Sequence, residues 1–380
     1  MSTIEPAIWD AMAGVENPFL SHGFLSTLED SGCVGEGTAW IPRPLLLYRA
    51  GSQQPIAAAP AYLKLDSTGE YIFDYGWADA HQRWIGSSYY PKLQVAVPFT
   101  PVPGPRLLLH PSLSVSEQPE IQAALLEGMV SLVEQGQLSS AHITFCGESE
   151  SRIAASTGHY FPRLGEQYHW LNEGYGSFEQ FLQTLSSRKR KAIRRERRIA
   201  AGHPVSLHVL HGDEVTAEQW DMFFQMYETT SLQKWGRPYL NRAFFPMLGE
   251  RLGPKVVLIL VRREDSGRWV AGAWNLRGSR ALFGRNWGCL ETFDMLHFEV
   301  CYYQAIEYAI ARGLERVEAG AQGFHKLQRG YRPTAIHSAH HIANPQFARA
   351  IADHLEQERE EQTQRLAELE EFTPFRKETP

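Results

Sequence analysis

The densest set of chemistry-bearing side chains lies between Leu282 and Pro333, where Glu318, Gln322, Gly323, His325, Lys326, Arg329 and Tyr331 crowd into one short run. Glycines there let backbone approach a ligand closely, and cations beside them suit an anion or a developing oxyanion. Lys326 and Arg329 are the candidates for holding negative charge. Glu318, at the expected end of a strand, is placed either to deprotonate an amine or, as strand carboxylates commonly are, to face solvent or Arg316. His325 carries the same two readings, catalytic or bland. Arg285 and Trp287 upstream, Gln322, Gly323 and Tyr331 in the run, Lys234 and Arg237 in a polar loop, and Asp74 and Trp77 of the first half are candidates for gripping substrate. For Trp287 a core position is the alternative to a stacking platform.

A second concentration is cationic. Arg188, Lys189, Arg190, Lys191, Arg194, Arg195, Arg197 and Arg198 fall close together with Glu196 as the only acid among them. Such a run is either a solvated face or a phosphate-binding one. Crowded like charges repel unless a polyanion neutralises them, so tRNA, a nucleotide-linked or phosphorylated substrate, or a lipid head group would each fit. His337, His340 and His341 superficially suggest a metal, but Ala335–Ser338 alternates like a strand and no carboxylate lies near, so no metal site is expected.

These residues need elements to position them. Phe298, Cys301, Tyr302, Ala305, Ala309 and Ile310 recur at helical spacing after Asp294, a candidate N-cap, and before Gly313. Arg316–Ala319 alternates as a strand. The runs VVLILVRR, WVAGAWNL and ALFGRNW ahead of that helix read as an antiparallel meander, matching an earlier series LLLYR, IAAAPAYL and YIFDYGW. Aligning YIFDYGW with ALFGRNW sets Ile72, Phe73, Gly76 and Trp77 against Leu282, Phe283, Asn286 and Trp287, which favours an internal duplication over chance similarity. Residues 78–111, rich in aromatics and proline, suit a surface loop. Capping boxes begin a helix at Ser177, expected to run amphipathically through the basic residues to Gly202, and another at Thr216. The tail from Gln346 reads as an acidic helix whose run EQEREEQTQR is solvated, or offers a contact to a protein partner.

With 380 residues, 43% of them hydrophobic, the chain is long enough for two domains with sizeable cores. Expected boundaries are 1–170, 171–345 and a tail of 346–380. The net charge of -6 comes largely from that tail. Four scattered cysteines indicate neither a disulfide framework nor a zinc knuckle. With no signal peptide and no apolar run long enough to span a bilayer, a cytoplasmic protein is expected.

The segments WADA at Trp77, YYPKLQVAVPFTPVPGPRLL from Tyr89, SSRKRKAIRRERR from Ser186, KWGRPYL from Lys234 and EAGAQGFHKLQRGYRP from Glu318 resemble the FemAB-like proteins. These are bacterial members of the GNAT acyltransferase superfamily, related to the Fem aminoacyltransferases of peptidoglycan bridges. The resemblance covers most of the chain. It implies a mixed α/β (α+β) fold of two tandem GNAT-like domains with largely antiparallel sheets flanked by helices. It also implies amide formation from an activated acyl donor, aminoacyl-tRNA in the Fem case. Their closing loop resembles Phe-Lys-x-Gly-Phe, whereas this one reads Leu327-Gln328-Arg329-Gly330-Tyr331, with Gln328 at the lysine's place and Lys326 and Arg329 nearby to supply the charge. Acyl-CoA remains the alternative donor, although no window matches the pyrophosphate loop [Q/R]xxGx[G/A]; Arg83–Ser88 fails at its last position. No bound cofactor is expected. A non-catalytic protein binding a phosphorylated ligand or RNA is the rival class.

Overall fold

The structure, a computed structural model, describes residues 1–320 and 323–376, apart from the Trp235 side chain. The chain divides into two compact units, Met1–Glu166 with Ala335–Leu366, and Gln167–Thr334 with the residues from Ala367 onward.

The first unit opens with β1 (Trp40–Pro42), β2 (Leu45–Tyr48), β3 (Pro55–Ala59), β4 (Ala61–Lys64), β5 (Lys92–Val95), β6 (Leu108–Leu109) and β7 (Ser140–Cys146). Strands β2, β3 and β6 make a small antiparallel sheet, while β1, β4, β5 and β7 lie side by side in a larger one, β5 parallel to β7. The run IAAAPAYL, expected as one strand, is two. Pro60 has no amide hydrogen for a ladder, so the chain breaks there and its halves join different sheets.

Two further expectations for this unit are corrected. YIFDYGW is not a strand: the chain turns at Asp74 and Tyr75–Ile85 is a helix closed by Gly86 at a φ of 77°. Trp77 therefore sits on a helix and Trp287 on a strand, so the proposed residue-by-residue repeat between them does not hold. Residues 78–111 are not simply a surface loop either, because β5 within them is buried throughout. Its polar residues disguised it. Lys92 Nζ meets the Glu70 carboxylate at 2.8 Å and also Asp74, and Gln94 Nε2 donates to Thr144 Oγ1 at 2.9 Å. Buried polar groups are tolerated when paired in this way.

The second unit contains β8 (Phe161–Leu171), which carries the chain into it, then β9 (Val205–His211), β10 (Val256–Arg263), β11 (Trp269–Arg277), β12 (Ala281–Cys289) and β13 (Arg316–Glu318). They lie in the order β8-β13-β12-β11-β10-β9, and every pair is antiparallel except β12 with β13. The expected meander of β10, β11 and β12 is present. One face packs Trp170, Val257, Leu282 and Val317 against Tyr303, Ile306 and Ala309 of the following helix. On the other face lies the helix Ala217–Trp235, begun by the expected Thr216–Gln219 capping box. A Cβ at Gly288 would stand 2.4 Å from the Met226 backbone, so only glycine admits that helix so close to β12. Ser177 also caps a helix, with its hydroxyl accepting from Gln180 N. That helix does not run on through the basic residues, however. It stops at Thr184, Leu185 adopts an extended backbone and is buried in the core, and a separate helix occupies Ser187–Ala201.

Strand β14 (Arg332–Ile342) returns the chain to the first unit, where His337–Ile342 pairs antiparallel with β7. In the helix Pro345–Glu371, Phe347, Ile351 and Leu355 pack around Trp77 and Tyr89. Its polar run is partly engaged: Glu358 takes a bidentate pair from Arg163, and Arg365 and Gln362 reach Glu166.

Strands β7 and β14 bring two buried imidazoles together, His142 Nδ1 lying 2.7 Å from His340 Nδ1, with Tyr89 Oη 2.9 Å from His142 Nε2. Burial pushes both imidazoles well below their usual range. A histidine held neutral by the fold stabilises it fully above its unfolded pKa of about 6.5, and that contribution is lost as acid protonates the unfolded chain. The thermal midpoint should therefore fall steeply between pH 6.5 and 5, and His340→Asn should flatten that slope by up to one proton's worth, about 1.4 kcal/mol per pH unit. Calorimetry across that range checks it.

Candidate active site

The site begins where two strands part. β12 and β13 run parallel and pair only at Ala281–Phe283 with Arg316–Glu318; β13 then ends while β12 continues to Cys289. On its other edge β12 carries a bulge, since Ala273 pairs with Trp287 and Asn275 with Gly284, leaving Arg285 and Asn286 opposite Trp274. A bulge re-aims side chains and bends a strand. Trp274 Nε1 donates to Asn286 Oδ1 at 3.0 Å and fixes the bulge from behind. The result is an open cleft lined by Asn275, Gly284, Arg285, Asn286 and Trp287 of the strands, by Ala319 just beyond β13, and by His297, Cys301 and Tyr302 of the helix above them.

That helix departs from regular geometry. Its N-cap is Met295 rather than Asp294, at a φ of 60°, and after Leu296–Phe298 the residues Glu299–Tyr303 form a π-turn before α-geometry resumes over Gln304–Ala311. π-Turns insert a residue into a helix and are frequent at functional sites. Here the turn lets Cys301 and Tyr302, both expected as core positions, reach the cleft. His297 packs edge-on against Trp287 and Tyr302. Burial lowers its imidazole to about 4, and Lys234, His325, Arg329 and Lys326 push in the same direction. The cleft is therefore walled by a neutral imidazole in a cationic setting. Burial raises the Cys301 thiol far above its usual range, so it is no nucleophile.

The loop after β13 folds onto this helix as a short 3₁₀ segment, Phe324–Arg329. Arg329 is clamped: its guanidinium pairs with Glu196 at 2.9 Å, donates to the His325 carbonyl and lies 3.4 Å from the centroid of the Phe298 ring. Lys326, 2% exposed, donates to the Gly320 carbonyl at 2.7 Å, and burial lowers its ammonium to about 7. It feels the Cys301 thiol behind the cleft wall. His325 stays exposed at its rim, with Nε2 2.8 Å from Tyr302 Oη.

Other sequence candidates are not gathered here. Alternation along β13 sets Glu318 on the face of Phe283, opposite cleft-lining Gly284 and Ala319. Its Oε1 takes Arg316 Nε at 2.8 Å, and its buried Oε2 has no hydrogen-bond donor, with His169 Nε2 3.9 Å away. Tyr331 is a core residue with a buried hydroxyl. Gly323 backs the His325 ring, Arg237 is exposed beyond the end of Ala217–Trp235, and Gln322 lies outside the described residues; Lys234, exposed in the last turn of that helix, is the exception, close enough to act on His297. Asp74 and Trp77 belong to the first unit, Asp74 in the Lys92 cluster and Trp77 beneath the Arg163 guanidinium. His340 and His341 face His142 and the His159 carbonyl. Among the described residues no group of His, Cys, Asp or Glu is arranged to hold a metal.

The basic helix Ser187–Ala201 sorts its charges. Arg197 forms two bidentate pairs, to Glu299 and Glu307, and Arg194 pairs with Glu179. Arg190 donates to the Leu185 carbonyl, and Lys189 is half-buried beside Arg188 and Arg329, with burial lowering its ammonium. Arg188, Lys191, Arg195 and Arg198 remain exposed. Their 3-4-3 spacing puts them in one stripe about 15 Å long.

A family model described as peptidoglycan biosynthesis/recognition, FemAB_like, matches residues 1–377. The chain belongs to the FemAB-like family. Among solved structures this FemAB-like chain is similar to FemX, at 11% identity over 92% of this chain and 98% of that one, with a TM-score of 0.58. It is also similar to L-PGS from Bacillus licheniformis (10% identity, 86% and 92% covered, TM-score 0.51). The C-terminal domain of a putative lysylphosphatidylglycerol synthetase from Agrobacterium fabrum gives 10% identity, 92% and 94% coverage and a TM-score of 0.51. At these identities the likeness is one of fold, and it bears out the expected mixed α/β architecture. No curated protein sequence matches the chain.

In this FemAB-like site Asn275, His297, Cys301 and Tyr302 were not singled out as functional from sequence; a π-turn and a strand bulge leave no periodic signal. The buried Lys326 gives a direct check on the geometry. A lysine whose folded pKa lies below its unfolded one disfavours the fold most at pH values below the folded pKa, and that cost fades toward pH 10. Lys326→Met should therefore raise the thermal midpoint at pH 6 and leave it nearly unchanged at pH 10. A midpoint that falls at pH 6 would show that the ammonium is well solvated.

Proposed function

We propose that this protein transfers an aminoacyl or acyl group to an amine, forming an amide. The cleft between the parted strands carries the reading. It offers hydrogen-bonding groups from Asn275, Arg285 and Asn286 to an ester and its oxyanion, in a setting made positive by Lys234, Arg285, Lys326 and Arg329. An aminoacyl ester is already activated, so positioning amine and ester and stabilising the tetrahedral oxyanion supply most of the catalysis. Lys326, only partly protonated at neutral pH, and Arg329, paired with Glu196, add to the positive potential from behind the wall; Arg285, in the wall, is the group placed to meet the oxyanion. Membership in a family described by peptidoglycan biosynthesis/recognition supports a peptide amine as acceptor.

For the donor, aminoacyl-tRNA is favoured over acyl-CoA. The stripe of Arg188, Lys191, Arg195 and Arg198 suits successive backbone phosphates, and the sequence lacks a pyrophosphate loop. No bound cofactor is needed. Among the described residues no helix is long and apolar enough to cross a membrane. The proposed site of action is the cytoplasm, on a nucleotide-linked acceptor. The exposed acidic side of Pro345–Glu371 remains available to a protein partner.

The test is transfer of label from a mixture of charged tRNAs to a synthetic muramoyl peptide bearing a free side-chain amine. Transfer should be seen, and Arg285→Ala should reduce kcat/KM at least tenfold. Four phosphate contacts predict that log K for tRNA falls with log salt at a slope of about -3 to -4, and that reversing Arg188, Lys191, Arg195 and Arg198 to glutamate removes most of it. Transfer from acyl-CoA with none from charged tRNA would replace the donor.

A further inference from the structure

We infer that Tyr302 and His325 form the proton relay of this cleft, Tyr302 as the catalytic residue that meets the reacting amine and His325 as the residue that acts through it. The inference rests on the transfer reading above and deepens it. Tyr302 is a cleft-lining side chain whose hydroxyl lies in hydrogen-bonding contact with an imidazole nitrogen, His325 Nε2 at 2.8 Å; in the Nδ1–H tautomer that nitrogen accepts. His325 in turn is exposed, so a proton arriving there can be held or passed to solvent. Two independent features of the backbone keep this pair together. Tyr302 lies within the π-turn Glu299–Tyr303 and lines the cleft. Gly323, at a φ of 121°, leaves room for the imidazole: a Cβ there would stand 2.4 Å from His325 Cε1 and 2.9 Å from Nδ1. A side chain at 323 would thus displace the ring and sever the contact, besides straining the backbone.

The other titratable groups facing this pair are consistent with a relay. His297 and Tyr331 pack against the Tyr302 ring, and neither is within hydrogen-bonding distance of its hydroxyl. Lys326 and Arg329 flank His325 and, after burial, help hold its imidazole below the usual range, so it is neutral and able to accept at pH 7. Burial raises the Tyr302 phenol, so it stays protonated until a proton moves on.

The step balances without any further reactant. As the amine nitrogen bonds to the ester carbonyl carbon, its N–H proton passes to Tyr302 Oη while the phenol proton passes to His325 Nε2. When the tetrahedral intermediate collapses, the carbon–oxygen ester bond breaks and the imidazolium returns its proton through the same phenol to the leaving hydroxyl. Amine and ester go in, amide and alcohol come out, and the protein ends as it began. Glu318, on the opposite face of the sheet, takes no part.

Two measurements test the relay on the full-length protein. The first needs no substrate: ¹⁵N NMR of the histidine rings should show His325 as the Nδ1–H tautomer with Nε2 accepting, and Tyr302→Phe should shift that nitrogen. An unshifted resonance would overturn the coupling. The second uses the charged-tRNA and muramoyl-peptide assay. Tyr302→Phe and His325→Gln should each lower kcat about 10²-fold with KM nearly unchanged, and the double variant should be no worse than either single. Gly323→Ala should reproduce the His325→Gln loss although Tyr302 and His325 are both present, and imidazole in the buffer should partly restore His325→Gln. The acid limb of the kcat–pH profile, set by His325 in the wild type, should vanish in that variant. A wild-type enzyme that transfers label while all three variants keep their kcat overturns the relay and leaves the transfer reading intact. A wild type that transfers nothing, with the NMR coupling present, sinks the transfer reading instead.

Discussion

Two parallel strands cannot part without something entering the gap, because backbone and side chains along the opening lose the neighbours that a sheet supplies. In this chain β12 and β13 separate after Phe283 and Glu318, and the second unit's site follows from that one event. The bulge at Arg285 and Asn286 turns polar groups toward the opening, and a helix with a π-turn lays His297, Cys301 and Tyr302 across it. The loop beyond β13 then has no strand to continue and folds back on that helix, fastened by Arg329 on Phe298 and by His325 on Tyr302.

Charge is distributed by the same logic. A buried cation needs a partner or a lowered pKa, and this unit shows both solutions within four residues. Arg329 keeps its charge by pairing with Glu196, and Lys326, with one carbonyl partner, yields toward neutrality. On the basic helix Arg197 is fixed by two glutamates of the cleft helix, which ties the two helices together and leaves a regular stripe of four exposed cations on the solvent side. A charge run that looks uniform in sequence therefore does two jobs, one internal and one facing outward.

How much of this was legible depends on whether a residue's role leaves a periodic trace. The meander β10–β12, the Thr216 capping box and the helix leading to Gly313 did, because burial on one face imposes spacing. The strand Lys92–Val95 did not: its lysine and glutamine are satisfied inside the fold, and ion pairing has no period. Asp74 misled in the same way, since its place in the Lys92 cluster turns the chain where sequence alternation suggested a strand. In the candidate site, Lys326, His325, Arg285 and Trp287 were visible by type, and Gly323 leaves room for the His325 ring, a need that sequence alone did not show. Tyr302 and Cys301 were visible only as core residues, because a π-turn shifts the helical register without any sequence mark. Glu318, attractive as a base by type and position, was placed on the far face by strand alternation, which sequence could not orient without the pairing of β12.

The central claim is that the parted strands hold the acyl end of the donor. It is tested most directly by a crystal structure of the protein with a non-hydrolysable donor analogue, a 3′-amide-linked aminoacyl-adenosine. The account predicts the aminoacyl carbonyl within hydrogen-bonding distance of the Arg285–Asn286 bulge and facing Tyr302. An analogue bound with full occupancy elsewhere, leaving the space between Gly284, Ala319 and Tyr302 to solvent, would contradict it.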